Sequence, residues 1–84
     1  MKVEILLFAS LRDELGPACS VEVPAFGPAA TTVGALRAAF LAAHPSSARL
    51  GRRILVAVNE RHASDADPVR PGDVVAFLPP LAGG

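Results

Sequence analysis

The residues best suited to chemistry stand at the end of the chain, where Gly83-Gly84 close the sequence. Read as a terminus, this is a carboxylate on a dipeptide without side chains. It can thread a slot too narrow for any other pair of residues. The approach through Pro79-Pro80 fixes φ and favours an extended, left-handed run, which is expected to hold Leu81, Ala82, Gly83 and Gly84 clear of the folded body. Residues 79–84, at roughly 3.3–3.6 Å each, reach about 20 Å, enough to enter another protein's active site. The expected division is therefore a folded domain over residues 1–78 and an extended tail over 79–84.

Other candidate groups are sparse. Cys19 is the single cysteine, so an internal disulfide is ruled out, and no Cys/His cluster stands ready for zinc. His44 and His62 are isolated in sequence, and each reads as a cap or surface residue in preference to a proton shuttle. Asp65 and Asp67 lie close together, but Pro68 follows and no further carboxylate joins them, so a turn is expected there and not a metal site. Formal net charge is zero, which leaves no footprint of nucleic acid or of an anionic membrane. Arg49, Arg52 and Arg53 form a local basic group, read as a solvated loop with a docking patch as the alternative. Met1-Lys2-Val3-Glu4 carries an acidic residue and passes straight into a short apolar run, so no signal peptide is expected. No stretch approaches the length of a membrane span. The expected setting is reducing and cytoplasmic.

The elements that must position the tail follow from periodicity. Val3 to Ala9 alternates as a strand, with Val3, Ile5, Leu7 and Ala9 on one face and Lys2, Glu4, Leu6 and Phe8 on the other. Ser10 could cap a short helix over Leu11–Leu15, ended by Gly16-Pro17. Cys19 to Val23 reads as a second strand, antiparallel to the first. Pro24 to Ala30 is a loop. Thr31 or Thr32 then caps a helix running to about His44, with Val33, Leu36, Phe40 and Leu41 on its apolar stripe and Arg37 bordering its polar side. Pro45 stops it, and Pro45 to Arg53 is a polar loop.

Ile54 to Val58 reads as a buried central strand. Asn59-Glu60 forms its turn, Arg61 to Ser64 a weak edge strand, Pro71-Gly72-Asp73 a sharp turn, and Val74 to Leu78 the last strand. One helix over one sheet gives a two-layer α+β domain, and a chain of 84 residues is large enough for a single modest core. That helix can shield only one side. Val3, Ile5, Leu7, Val75 and Phe77 should pack beneath it, leaving Phe8 and Leu78 exposed on the far side near the tail, where they suit docking.

Phe8-Ala9 with Leu11-Arg12, then Ala57-Val58-Asn59, then Pro71-Gly72-Asp73, and finally the run from Val75 through Pro79-Pro80 to Gly83-Gly84 resemble the MoaD/ThiS family of sulfur carriers. Within it they resemble most the small subunit of molybdopterin synthase, and the resemblance spans the whole chain. It implies a ubiquitin-like β-grasp fold, a mixed sheet of four to five strands covered on one face by one main helix. It also implies a subunit that is not catalytic on its own. An ATP-dependent enzyme resembling the ubiquitin activators would adenylate Gly84; a sulfur nucleophile from a sulfur-donor enzyme would displace AMP and leave a thiocarboxylate, nucleophilic as cysteine thiolates are. The tail would enter the large subunit of molybdopterin synthase, in a heterotetramer, and give sulfur to the pterin precursor to form the dithiolene.

On this resemblance Gly84 carries the sulfur and Gly83 supplies the slim approach. Phe8, Leu78, Pro79, Pro80, Leu81 and Ala82 form the partner-binding surface. No cofactor or metal is bound by the chain itself, and ATP is used by the activating partner. Two features depart from the family pattern: Arg61-His62-Ala63 stands where an apolar residue is usual, and the loop from Pro24 to Ala30 is rich in proline and alanine. The rival readings are a sulfur carrier for thiamine, a thiolated tRNA base or cysteine, a ubiquitin-like protein modifier, and a plain binding module.

Overall fold

The computed structural model describes residues 1–25, 27 and 30–80. The elements run β1 (Lys2–Leu7), α1 (Ala9–Leu15), β2 (Ala18–Glu22), β3 (Thr31–Thr32), α2 (Val33–Ala43), β4 (Leu55–Val58), β5 (Arg61–His62), β6 (Pro68–Val69) and β7 (Val75–Leu78). Short 3-10 turns at Pro45–Ser47 and Gly51–Arg53 join α2 to β4, so the polar loop expected there has regular local structure. Five strands form a mixed sheet in the order β2-β1-β7-β4-β5, and β3 pairs with β6 apart from it. The β1–β7 pair is parallel, with Ile5 opposite Val75, Leu6 opposite Ala76 and Leu7 opposite Phe77. The β1–β2, β4–β7 and β4–β5 pairs are antiparallel.

Alternation in β1 and β7 sends Val3, Ile5, Leu7, Val75 and Phe77 beneath α2, and all five are buried as expected. They meet Val33, Leu36 and Phe40 of the helix. Phe40 sets its ring edge against Phe77, with centroids 4.9 Å apart and planes at 71°, the arrangement that aromatic quadrupoles favour. Leu41 is half-buried at the rim of this stripe. Thr32 caps α2, its hydroxyl accepting from the Ala35 amide at 3.2 Å. His44 ends the helix, its amide donating to the Phe40 carbonyl.

Four local expectations are corrected. Ala9 leaves the strand and opens α1 with φ 51°, because the chain must turn sharply once β1 has used its paired length. Ser10 does not cap α1; Phe8 occupies the N-cap position and makes no side-chain bond. Gly16 ends that helix at φ 93°, donating to the Arg12 carbonyl at 2.8 Å, a conformation that costs glycine little. The Ile54–Val58 strand is interior to the sheet as expected, but it is not buried on both faces. The central strand is β7, and β4 lies beside it with alternating burial, so Leu55 is 39% exposed. An unbroken apolar run has no period by which to tell one buried face from two.

Arg37 is the fourth correction and the most consequential. It is 8% exposed. Its Nη1 donates to the carbonyls of Ile54 at 2.7 Å and Arg52 at 2.9 Å, and Nη2 pairs with Asp65 Oδ1 at 3.0 Å. One guanidinium fork thus ties α2 to the turn before β4 and to the loop before β6. Asp65 also accepts the Gly34 amide through its backbone carbonyl at 3.0 Å. A Cβ at position 34 would stand 3.2 Å from the Asp65 Cβ, so glycine permits this approach.

At the opposite end of the sheet, Asn59 and Glu60 take φ 51° and 68° in a two-residue hairpin turn. Asn59 accepts from the Val74 amide and donates to Asp73, while Asp73 accepts from the Arg70 amide. These bonds, the Arg70 amide first and Asn59 second, hold the Asp73 carboxyl below its usual range.

Two predictions follow from this packing. Replacing Arg37 with Met keeps the volume but strands the buried Ile54 carbonyl, at a cost of about 1–3 kcal/mol in urea unfolding. Asp65→Asn should cost under about 1 kcal/mol, since Asp65 is 48% exposed and its pair is screened. Equal losses would show that the ion pair, not the carbonyl contacts, secures the clamp. The stabilisation due to the lowered Asp73 pKa is complete above the ordinary aspartate range, near 3.9, and is lost as pH falls through the lower folded value. Asp73→Asn should therefore flatten the acid limb of the stability profile below about pH 4, and a profile parallel to wild type would refute the assignment.

Candidate functional site

The parallel pairing of β1 and β7 brings the C-terminal ends of both strands to the same edge of the sheet. Phe8 follows β1 in an extended conformation, φ −128° and ψ 159°, so its side chain stays on the face opposite α2. Its amide donates to the Phe77 carbonyl at 3.3 Å, prolonging the parallel ladder by one residue. Register then sets Phe8 beside Leu78, and Leu78 is paired in turn with Leu55 of β4. Phe8, Leu78 and Leu55 form a row across three strands, directly where Pro79-Pro80 leave the sheet.

A second row behind it consists of Leu6, Ala76 and Ala57. Both rows lie on the face that α2 leaves uncovered. Phe8 is 42% exposed, and Leu78, Pro79 and Pro80 are half-buried. The structure thus brings Phe8, Leu78, Pro79 and Pro80 together. Leu81, Ala82, Gly83 and Gly84 lie outside the described residues. Leu55 belongs to the same row and was missed from the sequence, because its strand was read as buried on both faces. The signal available was its register against Leu78, which only the fold supplies. Val74, 53% exposed, lies on this face at the far end of the sheet.

The departure at residues 61–63 has a definite place. His62 pairs with Ala57 and so borders the open face with a polar ring, whereas Ala63 turns to the core side and donates to the Val56 carbonyl at 2.9 Å. Apolar character on this face is therefore concentrated toward the C-terminal end of β7, away from β5.

The remaining polar candidates sit apart from the exit. Cys19 is partly buried in β2, and burial pushes its thiol pKa up, which lowers its thiolate fraction and its reactivity. His44 stacks on Phe40 with centroids 4.8 Å apart. Asp67 closes its own turn by accepting the Ser64 amide at 2.9 Å. Among the described residues no group of three or more His, Cys, Asp or Glu converges as a metal site, and no helix is long and apolar enough to cross a membrane. What the C-terminal end of β7 offers is an apolar platform beside Pro79-Pro80.

Residues 5–84 match the model of the ThiS family. A molybdopterin synthase sulfur carrier subunit from Chlamydomonas reinhardtii is 31% identical over 86 residues, which cover 100% of both chains. Among solved structures, SAMP1 from Haloferax volcanii is 29% identical with a TM-score of 0.76, covering 100% of both chains. A putative molybdopterin converting factor subunit 1 from Pyrococcus furiosus is 26% identical with a TM-score of 0.75, covering 95% of this chain and 98% of that one. The architecture shared with these structures is the ubiquitin-like β-grasp.

The platform residues should be separable from the core by stability alone. Phe8→Asp and Leu55→Asp are each expected to cost under about 1 kcal/mol in chemical unfolding, as surface changes do. Phe77→Ala, beneath α2, should cost about 3–5 kcal/mol. A core-sized loss for Phe8→Asp would place that ring inside the fold.

Proposed function

The chain belongs to the ThiS family, and from that premise we propose that it is the sulfur carrier subunit of a molybdopterin synthase. The observation that carries this reading is the row Phe8–Leu78–Leu55 at the point where the chain departs toward Gly83-Gly84. It supplies a surface for a partner at the start of the segment that leads to the group on which the partner acts. The full-length likeness to a named sulfur carrier subunit supports the same choice.

In the proposed cycle an adenylating partner joins the Gly84 carboxylate to the α-phosphate of ATP, and pyrophosphate leaves. Sulfide attacks the acyl carbon; a C–S bond forms, the acyl C–O bond breaks and AMP departs, whereas a donor enzyme's persulfide first gives an acyl disulfide that a thiol then cleaves, the donor sulfur and that thiol leaving together as a disulfide. The thiocarboxylate is then the nucleophile toward a pterin precursor held by the large subunit. In each transfer a C–S bond to the pterin replaces a C–O bond, whose oxygen leaves, and water then hydrolyses the acyl link, which leaves sulfur on the pterin and restores the carboxylate. Two transfers complete the dithiolene. This chain contributes the acyl carrier, a narrow approach through Gly83 and the apolar platform. General acids, bases and cations are supplied by the partners.

The likeness to an archaeal modifier protein favours one second reading. The same acyl-adenylate, attacked by a lysine amine instead of sulfur, would give an amide-linked conjugate. The two outcomes diverge only at the nucleophile.

Incubation with an adenylating enzyme of this type, ATP and sulfide should raise the intact mass by about 16 Da as sulfur replaces oxygen. Deleting Gly84 should abolish that gain and leave the melting temperature within about 2 °C of wild type, since surface changes cost little. Phe8→Asp should weaken binding to a large subunit while preserving the fold. Full sulfur transfer by the truncated chain would defeat the carrier reading, and lysine-linked conjugates without thiocarboxylate would establish the modifier reading in its place.

A further inference from the structure

The zero net charge conceals an uneven distribution along the strand axis. The segments at the tail-exit end, residues 8–17 and 45–54, hold Arg12, Arg49, Arg52 and Arg53 against Asp13 and Glu14, a local balance of +2. The rest of the chain holds four cations against six carboxylates, a balance of −2. Within the positive end, Glu14 is already engaged by Arg49 at 3.2 Å. Arg52 and Arg53 are exposed, and among the described residues neither pairs with a carboxylate.

These two arginines are held in place by the fold. Their turn, Gly51–Arg53, runs directly into β4, whose Leu55 pairs with Leu78. Because Leu55 pairs with Leu78, this turn lies at the same end of the sheet as Pro79-Pro80, on the β4 side of β7, while Phe8 lies on the β1 side. The backbone here is fixed from below, because Arg37 donates to the carbonyls of Arg52 and Ile54. Arg53 braces the turn from above through Nη2 to the Arg49 carbonyl at 3.0 Å.

We propose that Arg52 and Arg53 form a cationic shoulder that steers the tail exit onto an acidic surface beside the active-site entrance of the adenylating enzyme. The inference rests on the carrier reading above and adds to it the charge of the surface that recognises the carrier. The choice between partners follows from the kinetics each requires. A subunit that remains in a synthase gains from buried apolar area, which the Phe8–Leu78–Leu55 row provides. An enzyme that must capture and release the carrier in every cycle gains from long-range attraction, which raises association rates without slowing release. Charges at an interface rim act in this way.

The test is the salt dependence of adenylation, followed as pyrophosphate release, for wild type, Arg52→Gln/Arg53→Gln, Arg52→Glu/Arg53→Glu and Arg70→Gln. Arg70 is an exposed cation at the opposite end of the sheet and serves as the control; thermal melts verify that all four fold. Wild-type kcat/KM should fall about tenfold between low and high salt as screening shortens the reach of the shoulder. The double Gln variant should start about tenfold lower with kcat unchanged and vary little with salt; double Glu should be lower still and rise with salt. Arg70→Gln should follow wild type. If wild type is adenylated but the double variants match its rate and salt slope, the shoulder has no such role and the carrier reading stands. If the salt effect appears instead in binding to a large subunit and not in adenylation, the assigned partner is wrong. A wild type that is never adenylated removes the carrier reading and this inference together.

Discussion

Parallel pairing of the first and last strands is the constraint on which the site depends. A parallel pair cannot be closed by a tight turn, so β7 reaches β1 only after the chain has added β2, crossed one face of the sheet as α2 and returned through β4 and β5. Its consequence is geometric. Both strands end at one edge, so the residue that follows β1 and the residues that follow β7 become neighbours. Phe8 and Pro79, 71 positions apart in sequence, come together at the same end of the sheet. The bond from the Phe8 amide to the Phe77 carbonyl fixes that relation at the level of the backbone.

The second constraint is the shortage of helix. One 11-residue α2 covers one face of a five-stranded sheet, and the seven-residue α1 lies at its end. The opposite face is left to partly polar rows and to the apolar row at the exit. In an 84-residue chain there is little further material with which to cover it. An apolar surface that a small domain does not bury within itself is available for association. The core and the platform therefore have a common origin: alternation along β1, β7 and β4 divides one set of strands into a buried face and an open one.

Arg37 links this scaffold to its charge pattern. A guanidinium buried at the side of α2 would be costly without partners; here two backbone carbonyls and Asp65 provide them. Its partners belong to the approach to β4, the same turn that displays Arg52 and Arg53. A buried polar contact thus gives shape to an exposed cationic feature. Within the basic group that composition alone describes as a solvated loop, Arg52 and Arg53 stand on an ordered turn that leads into β4.

Much of the fold was legible in the residues. Period-two alternation marked β1 and β7 and named Val3, Ile5, Leu7, Val75 and Phe77 as core; threonine, proline and glycine punctuation bracketed α2 and the turns. These signals are local, and they survive because burial in a small domain enforces them at every strand position. Gly83-Gly84 and the exposed Phe8 were likewise visible as residue types. What the sequence could not determine was which strands lie side by side. The position of β4 beside β7, the role of Leu55 in the exit row, the pairing of β3 with β6 and the burial of Arg37 all depend on contacts between distant segments. Periodicity records which face of an element is buried, whereas register and long-range pairing are decided only when the elements pack together.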